Sequence, residues 1–245
     1  MIIVALPAYN EEEAIIPLLS EIHRLLDGRF QGARIIVVDD GSIDGTAGRV
    51  RSYRGGEVEL IQHEGNKGLA EAIKTGLVHA LEASADSDVI VTMDADNTHN
   101  PGLMFRMASL IDEGNDVIIA SRFVPMARIV GYPRHRRFLS RGASWFFRLL
   151  FPIKGVRDYT CGYRAYRAGV LREAFARWGD EFISQSGFSC LVDILLKLRR
   201  MGVVMNEVPL IMRYDLKPGQ TKMDVKRTIK ETLLLALRRR VGIDS

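Results

Sequence analysis

The chain has 245 residues, 47% of them hydrophobic and 26% charged, which supplies core for one large α/β domain and excludes a disordered chain. Two cysteines, Cys161 and Cys190, form neither a disulfide framework nor a thiolate metal cluster and suggest a reducing compartment. No run approaches 18 residues free of charge, which excludes an ordinary transmembrane helix, and the short apolar run before Pro7 reads as neither signal peptide nor anchor.

A net charge of +4 hides a division: residues 1–121 hold 9 Lys/Arg and 20 Asp/Glu, residues 122–245 hold 25 and 10. A basic half attracts phosphate, whether on nucleic acid, an anionic membrane or a phosphorylated substrate, unless it is only a solvated surface.

In chain order, IIVALPAY (2–9) is continuous rather than alternating and predicts a buried parallel strand, with Pro7 at the limit of its ladder. After Asn10, the residues Ile15, Leu18, Leu19, Ile22, Leu25 and Leu26 recur at helical spacing. ARIIVVDDG (33–41) predicts a second strand, followed by a helix from near Thr46; EVELIQHEG (57–65) predicts a third, followed by a glycine-opened helix over 66–84. DVIVTMDAD (88–96) is the fourth strand, Pro101 the expected first residue of the next helix, and DVIIASRF (116–123) the fifth strand. Beyond residue 124 the periodicity weakens. An Arg-rich loop leads to a helix near 138–150, DYTCGYRAYRAGVLREAF is a turn or short strand leading to a helix, and a helix over 186–202 precedes a strand over 203–214. Residues 224–240 predict a last amphipathic helix. The fold class is therefore α/β, with a Rossmann-like, mostly parallel central sheet flanked by helices. The ligand crevice is expected at the carboxyl ends of the strands, where Asn10, Asp39, Asp40, Asp94, Asp96, Ser121 and Arg122 fall.

Asp94 and Asp96 lie two residues apart at a strand end, where hard carboxylate oxygens suit Mg²⁺ or Mn²⁺ carrying substrate phosphates; as structural residues they would cap the next helix. His99 is a further ligand or a packing residue of the turn. Asp39 and Asp40 either accept hydrogen bonds from a base or ribose or satisfy backbone N–H groups. GNKG (65–68) is not a P-loop and no GxGxxG follows a strand, which disfavors a standard ATPase or NAD enzyme. Gly68 is expected to open a helix near the ligand, with Lys67 able to meet a diphosphate. Residues 122–172 carry 12 Lys/Arg against the single acid Asp158. FLSRGASWFFRLLFPIKG (138–155) interleaves them with apolar residues, as an anionic bilayer surface would require; ordinary core with a solvated rim, or a dimer face, are the alternatives. That greasy run, and the lack of a zinc finger or RNA-binding signature, argue against nucleic acid.

PAYNEE (7–12), VVDDGSIDGT (37–46), NKGLAEAIKTG (66–76), MDADNTHNP (93–101), SRF (121–123) and DYTCGYRAYR (158–167) together resemble the family 2 glycosyltransferases, in the branch of dolichol-phosphate mannose synthases and polyprenyl-phosphate sugar transferases. The resemblance runs from residue 2 to about residue 223. It implies one nucleotide-diphospho-sugar transferase (GT-A) domain over 1–223, with the donor in 1–121 and the acceptor in 122–223, followed by an amphipathic tail over 224–245. It places Pro7, Ala8, Tyr9, Asn10, Glu12, Asp39, Asp40, Lys67, Gly68, Asp94 and Ala95 around the nucleotide, with Asp40 at the base. Asp94 and Asp96 match the metal and diphosphate motif, and Thr98 stands as a weak ligand where relatives carry Gln. The implied substrates are GDP-mannose or UDP-glucose and a polyprenyl or dolichyl phosphate, with Mg²⁺ or Mn²⁺ as cofactor.

The same resemblance makes Asp94, Asp96 and Arg122 catalytic and gives the acceptor phosphate to Ser121, Arg122, Arg136, Arg137, Arg213 and Lys222. The C-terminal pattern supplies Glu207, Val208 and Pro209, with Thr221 in place of Ser before Lys222, and Asp193 stands where relatives carry Glu. The protein is expected to be cytoplasmic and peripheral on the cytoplasmic face of a membrane. A family 2 enzyme using a hydroxyl acceptor would need a base, Asp158 or Asp193; a noncatalytic nucleotide-binding protein is the third alternative.

Overall fold

The computed structural model of the protein describes residues 1–26, 33–131 and 134–217, without the side chains of 134–140 and 143. The five strands expected from the apolar runs form as β1 (Ile2–Ala8), β2 (Arg34–Asp39), β3 (Glu59–Gln62), β4 (Val89–Thr92) and β5 (Val117–Ser121). Every residue of β4 and β5, and all but one of β1 and of β2, is buried, or nearly so, because helices cover both faces of the sheet. The helices are α1 (Glu12–Leu26), α2 (Thr46–Ser52), α3 (Leu69–Glu82) and α4 (Leu103–Asp112). α1 shows how they attach: Ile15, Leu18, Leu19, Ile22 and Leu26 form one buried stripe, each worth about 1.5–3 kcal/mol.

The second half completes the same sheet. β7 (Arg164–Arg167) and β8 (Met205–Pro209) enter it to give the order β3-β2-β1-β4-β7-β5-β8. β7 runs antiparallel to both neighbours, while the other pairs are parallel. Because β7 runs backward, its leading segment, residues 158–163, arrives at the edge where β1, β2, β4 and β5 end. α5 (Arg134–Leu150), α6 (Ala168–Trp178), a 3₁₀ turn at Gly179–Ile183 and α7 (Ser189–Arg200) complete the helices.

Two boundaries differ from the sequence reading. α4 starts at Leu103 rather than Pro101, because the Asn100 side chain accepts the Gly102 N–H at 2.9 Å and closes a turn first. The strand expected over 203–214 divides at Leu210, whose N–H donates to Ser121 of β5 while its carbonyl accepts from Arg128. The chain thereby passes from the main sheet to a separate parallel pair, β6 (Arg128–Val130) with β9 (Ile211–Arg213). The helix expected over 224–240, and the tail to 245, lie outside the described residues.

Candidate active site

The cleft expected to take the nucleotide is built from three strand tips. Pairing of Ala8 with Asp39 and of Ala5 with Thr92 aligns the ends of β1, β2 and β4. A cleft of about 330 Å³ opens there, lined by Pro7, Ala8, Tyr9, Glu11, Asp40, Asn66, Gly68, Leu69, Ala72, Asp94, Ala95, Asp96, Phe188 and Lys217. α3 begins at Leu69 on its wall, directing the positive end of a helix dipole toward the opening.

Several acids expected to meet the nucleotide brace these loops. Asp39 is fully buried and accepts from Ser42 N–H and from the Gln62 amide. Asp40 accepts the N–H groups of Lys67 and Gly68 at 2.9 and 2.8 Å and pairs with His63 at 2.7 Å. Asp40 thus joins β2 to the loop before α3 while still lining the cleft, and Lys67 takes part through its backbone with its side chain exposed. Gly41 lets the loops meet: its φ is +68°, and a Cβ there would lie 2.3 Å from the Gly65 carbonyl carbon. Asn10 has φ 54° and exchanges hydrogen bonds with the Ser42 side chain and Ile43 N–H. Glu12 turns to Gly45 N–H and Arg49, tying α1 to α2. Among the described residues that line the cleft the glutamate is Glu11, whereas Glu12, expected near the nucleotide, faces Gly45 and Arg49.

Asp94 and Asp96 share the cleft floor but differ in surroundings. Asp96 Oδ1 accepts from the N–H and hydroxyl of Thr98 at 3.1 and 2.6 Å, and Asp96 Oδ2 lies 2.5 Å from the Lys217 ammonium. Burial pushes the Asp96 carboxyl up, but Lys217, His99 and these hydrogen bonds outweigh it and hold it below its ordinary range. Burial raises the Asp94 carboxyl, with the charge of Asp96 adding to the rise against His99, Lys217 and Arg122. No hydrogen bond or ion pair reaches the Asp94 carboxylate from the described residues. Thr98, expected as a weak ligand, is fully buried and donates its hydroxyl to Asp96, positioning that carboxylate. His99 is buried and stacks on Tyr163 with ring centroids 5.3 Å apart.

The region expected to meet the acceptor centres on Arg122. Its guanidinium donates to both oxygens of Asp158 at 2.7 Å and to the Thr160 hydroxyl at 2.7 Å. Asp158 is fully buried and also accepts the N–H groups of Arg122, Thr160 and Cys161. Burial pushes its carboxyl up, but Arg122 and these N–H groups win and hold it below the usual carboxylate range. Glu207 supports the loop from behind, accepting from the N–H groups of Arg157 and Asp158 at 2.6 Å. Ser121, expected near the acceptor phosphate, is fully buried and bonded to Phe123 N–H and Glu207. Arg213 forks onto Asp215 at the surface. Arg136 and Arg137 lie on α5 with side chains outside the described set, and Thr221 and Lys222 lie outside the described residues. A groove of about 650 Å³ opens beside this loop, lined among others by Val124, Trp145, Arg148, Leu149, Ile153 and Arg157.

The chain matches the family described as Glycosyl transferase family 2 over residues 3–175. It belongs to glycosyl transferase family 2. It is 31% identical over 211 residues to the polyprenol monophosphomannose synthase of Mycolicibacterium smegmatis, covering 85% of this chain and 76% of that one. It is 33% identical over 232 residues to the dolichol-phosphate mannosyltransferase of Pyrococcus furiosus, covering 94% of this chain and 61% of the relative. A crystal structure of glucosyl-3-phosphoglycerate synthase from Mycobacterium tuberculosis, with Mn²⁺, UDP and phosphoglyceric acid, superposes with a TM-score of 0.68 at 20% identity, covering 100% of this chain and 80% of that one. The fold is GT-A, as the resemblance implied.

In this family 2 enzyme the cleft brings together Pro7, Ala8, Tyr9, Asp40, Gly68, Asp94, Ala95 and Asp96 from the sequence reading, and adds Glu11, Asn66, Phe188 and Lys217. Lys217 lies just past the strand expected over 203–214 and was not among the residues expected at the site. The floor fits a divalent cation bound largely through phosphate and water: it offers hard carboxylate oxygens, and among the described residues no group of three metal-binding side chains gathers. Gly162 keeps room at Asp94, where a Cβ would lie 3.0 Å from Oδ1.

Proposed function

We propose that the protein transfers a hexose from a nucleoside-diphosphate sugar to a polyprenyl or dolichyl phosphate, with inversion at C1 and with Mg²⁺ or Mn²⁺ held by Asp94 and Asp96. The observation that carries the acceptor class is the state of Asp158 and Asp193. Asp158 is locked by Arg122 and three backbone N–H groups, and Asp193 is buried and paired with Lys197 at 2.7 Å on its own helix. Neither is available as the base a hydroxyl acceptor needs. A phosphate monoester, with a second pKa of about 6, is already anionic at neutral pH and attacks without one.

One acceptor oxygen forms the bond to C1 as the bond from C1 to the diphosphate breaks, and the nucleoside diphosphate departs with that electron pair. A cation at Asp94 and Asp96 would offset the charge building on the departing diphosphate. Asp158 and Thr160 hold the Arg122 guanidinium in one orientation, so the positive group receiving the acceptor is set before the substrate arrives. The names of the two relatives make mannose the first sugar to test, offered as GDP-mannose, and UDP-glucose is the second donor the resemblance implies. Trp145 and Leu149, 67% and 65% exposed, flank Arg148 on α5 and suit an anionic membrane surface, which supports a peripheral enzyme working at a membrane. Among the described residues no helix is long and apolar enough to cross a membrane.

The test compares a short polyprenyl phosphate with the matching polyprenol at equal concentration and measures product by mass. The account expects sugar on the phosphate form alone; equal transfer to the alcohol would overturn it.

A further inference from the structure

The segment after the main sheet is fastened to the loop that carries the paired carboxylates. Arg213 N–H donates to the Thr98 carbonyl at 2.8 Å, and Met212 forms an antiparallel bridge with His99. A 3₁₀ turn at Tyr214–Leu216 then brings Lys217 into the cleft, 121 positions from the carboxylate it meets. The Lys217 and Asp96 side chains are only 11% and 12% exposed. Thr98 occupies Asp96 Oδ1, and the Lys217 ammonium occupies Oδ2. A divalent cation therefore gains full use of Asp96 only by taking an oxygen that already has a positive partner.

We infer that Lys217 is an internal counter-ion of Asp96 which the divalent cation displaces, and that the donor's diphosphate receives the displaced ammonium. An ammonium left unpaired in this half-closed cleft would be costly. Its four-carbon stem lets it swing as a point charge toward phosphate on the same wall. Cation and nucleotide then favour each other's binding reciprocally. The inference rests on the metal reading above and assigns Lys217 a role in setting when the metal binds.

The test titrates the full chain with Mn²⁺ alone and follows the free-ion paramagnetic resonance signal in wild type, K217M, K217Q and D96N. A parallel measurement follows GDP and UDP affinity with and without Mn²⁺. Removing the competing ammonium is expected to tighten Mn²⁺ binding about tenfold in both Lys217 variants, and to shrink the gain in nucleotide affinity that Mn²⁺ gives the wild type. D96N should weaken Mn²⁺ binding. K217M keeps the apolar stem and K217Q a polar end, so agreement between them excludes a packing effect. Mn²⁺ affinity unchanged or weaker in both would overturn the role of Lys217 while leaving the metal reading intact. Failure of every protein to bind Mn²⁺, with either nucleotide or without, would overturn both.

Discussion

Asp158→Asn removes one charge from the acceptor side and almost no volume. In the native protein five hydrogen bonds converge on that carboxylate, three from Arg122 and one each from Thr160 N–H and Cys161 N–H. An amide offers one acceptor oxygen and turns two donors of its own toward donors, leaving the part-buried Arg122 without its counter-charge. Breaking one side of such a pair destabilises by about 3–5 kcal/mol. At roughly 2–4 °C per kcal/mol for a chain of this size, the melting temperature should fall by about 6–20 °C. A carboxyl held below its ordinary pKa contributes its full stability above that value and loses it as pH falls through the folded pKa. The gap between wild type and variant should therefore stay constant above about pH 5 and narrow below about pH 4. Calorimetry from neutral to acid pH measures both. A neutral-pH loss under about 1 kcal/mol, typical of an exposed pair, or a gap that widens in acid, would refute the reasoning.

D94N and D96N should each lower turnover by about 10²–10³-fold, as loss of one electrostatic group does, measured as initial rates at saturating donor and acceptor. D94N should also raise thermal stability by about 0.5–2 kcal/mol, because burial and Asp96 already disfavour its charged form; a lower melting temperature would contradict this account of Asp94. G162A, whose methyl would crowd Asp94 Oδ1 at 3.0 Å, should slow transfer roughly 10- to 100-fold with the native circular dichroism retained. G41A combines a left-handed backbone with a collision at Gly65 and should destabilise by more than the ~1–2 kcal/mol of the backbone strain alone, read by urea unfolding.

The strands that position the donor cleft were legible because each is buried on both faces and reads as an unbroken apolar run; Asp94 and Asp96 stood out because charge ended such a run. β7 was harder. Its four residues include Arg164, whose guanidinium is fully buried and donates to the carbonyls of Tyr159, Cys161 and Leu191. An arginine used as an internal strut looks in sequence like one more member of a basic surface, and Arg122 and Arg213 are likewise engaged by Asp158 and Asp215. Glu12 and Glu11 are adjacent, and only the fold decides which faces the cleft. Lys217 was not singled out because its meeting with Asp96 depends on β9 docking against residues 98–99, a long-range contact that periodicity does not encode. A Lys preceding Pro-Gly just beyond Arg213 was the one available clue.

Mass spectrometry of the lipid product, after incubation with GDP-mannose or UDP-glucose and a polyprenyl phosphate in Mn²⁺, tests the central claim most directly. The account predicts a lipid phosphate heavier by one hexose, formed by the wild type, abolished by excess chelator and nearly absent with D96N. An unchanged lipid with every nucleotide sugar, or the same product undiminished in chelator, would contradict it.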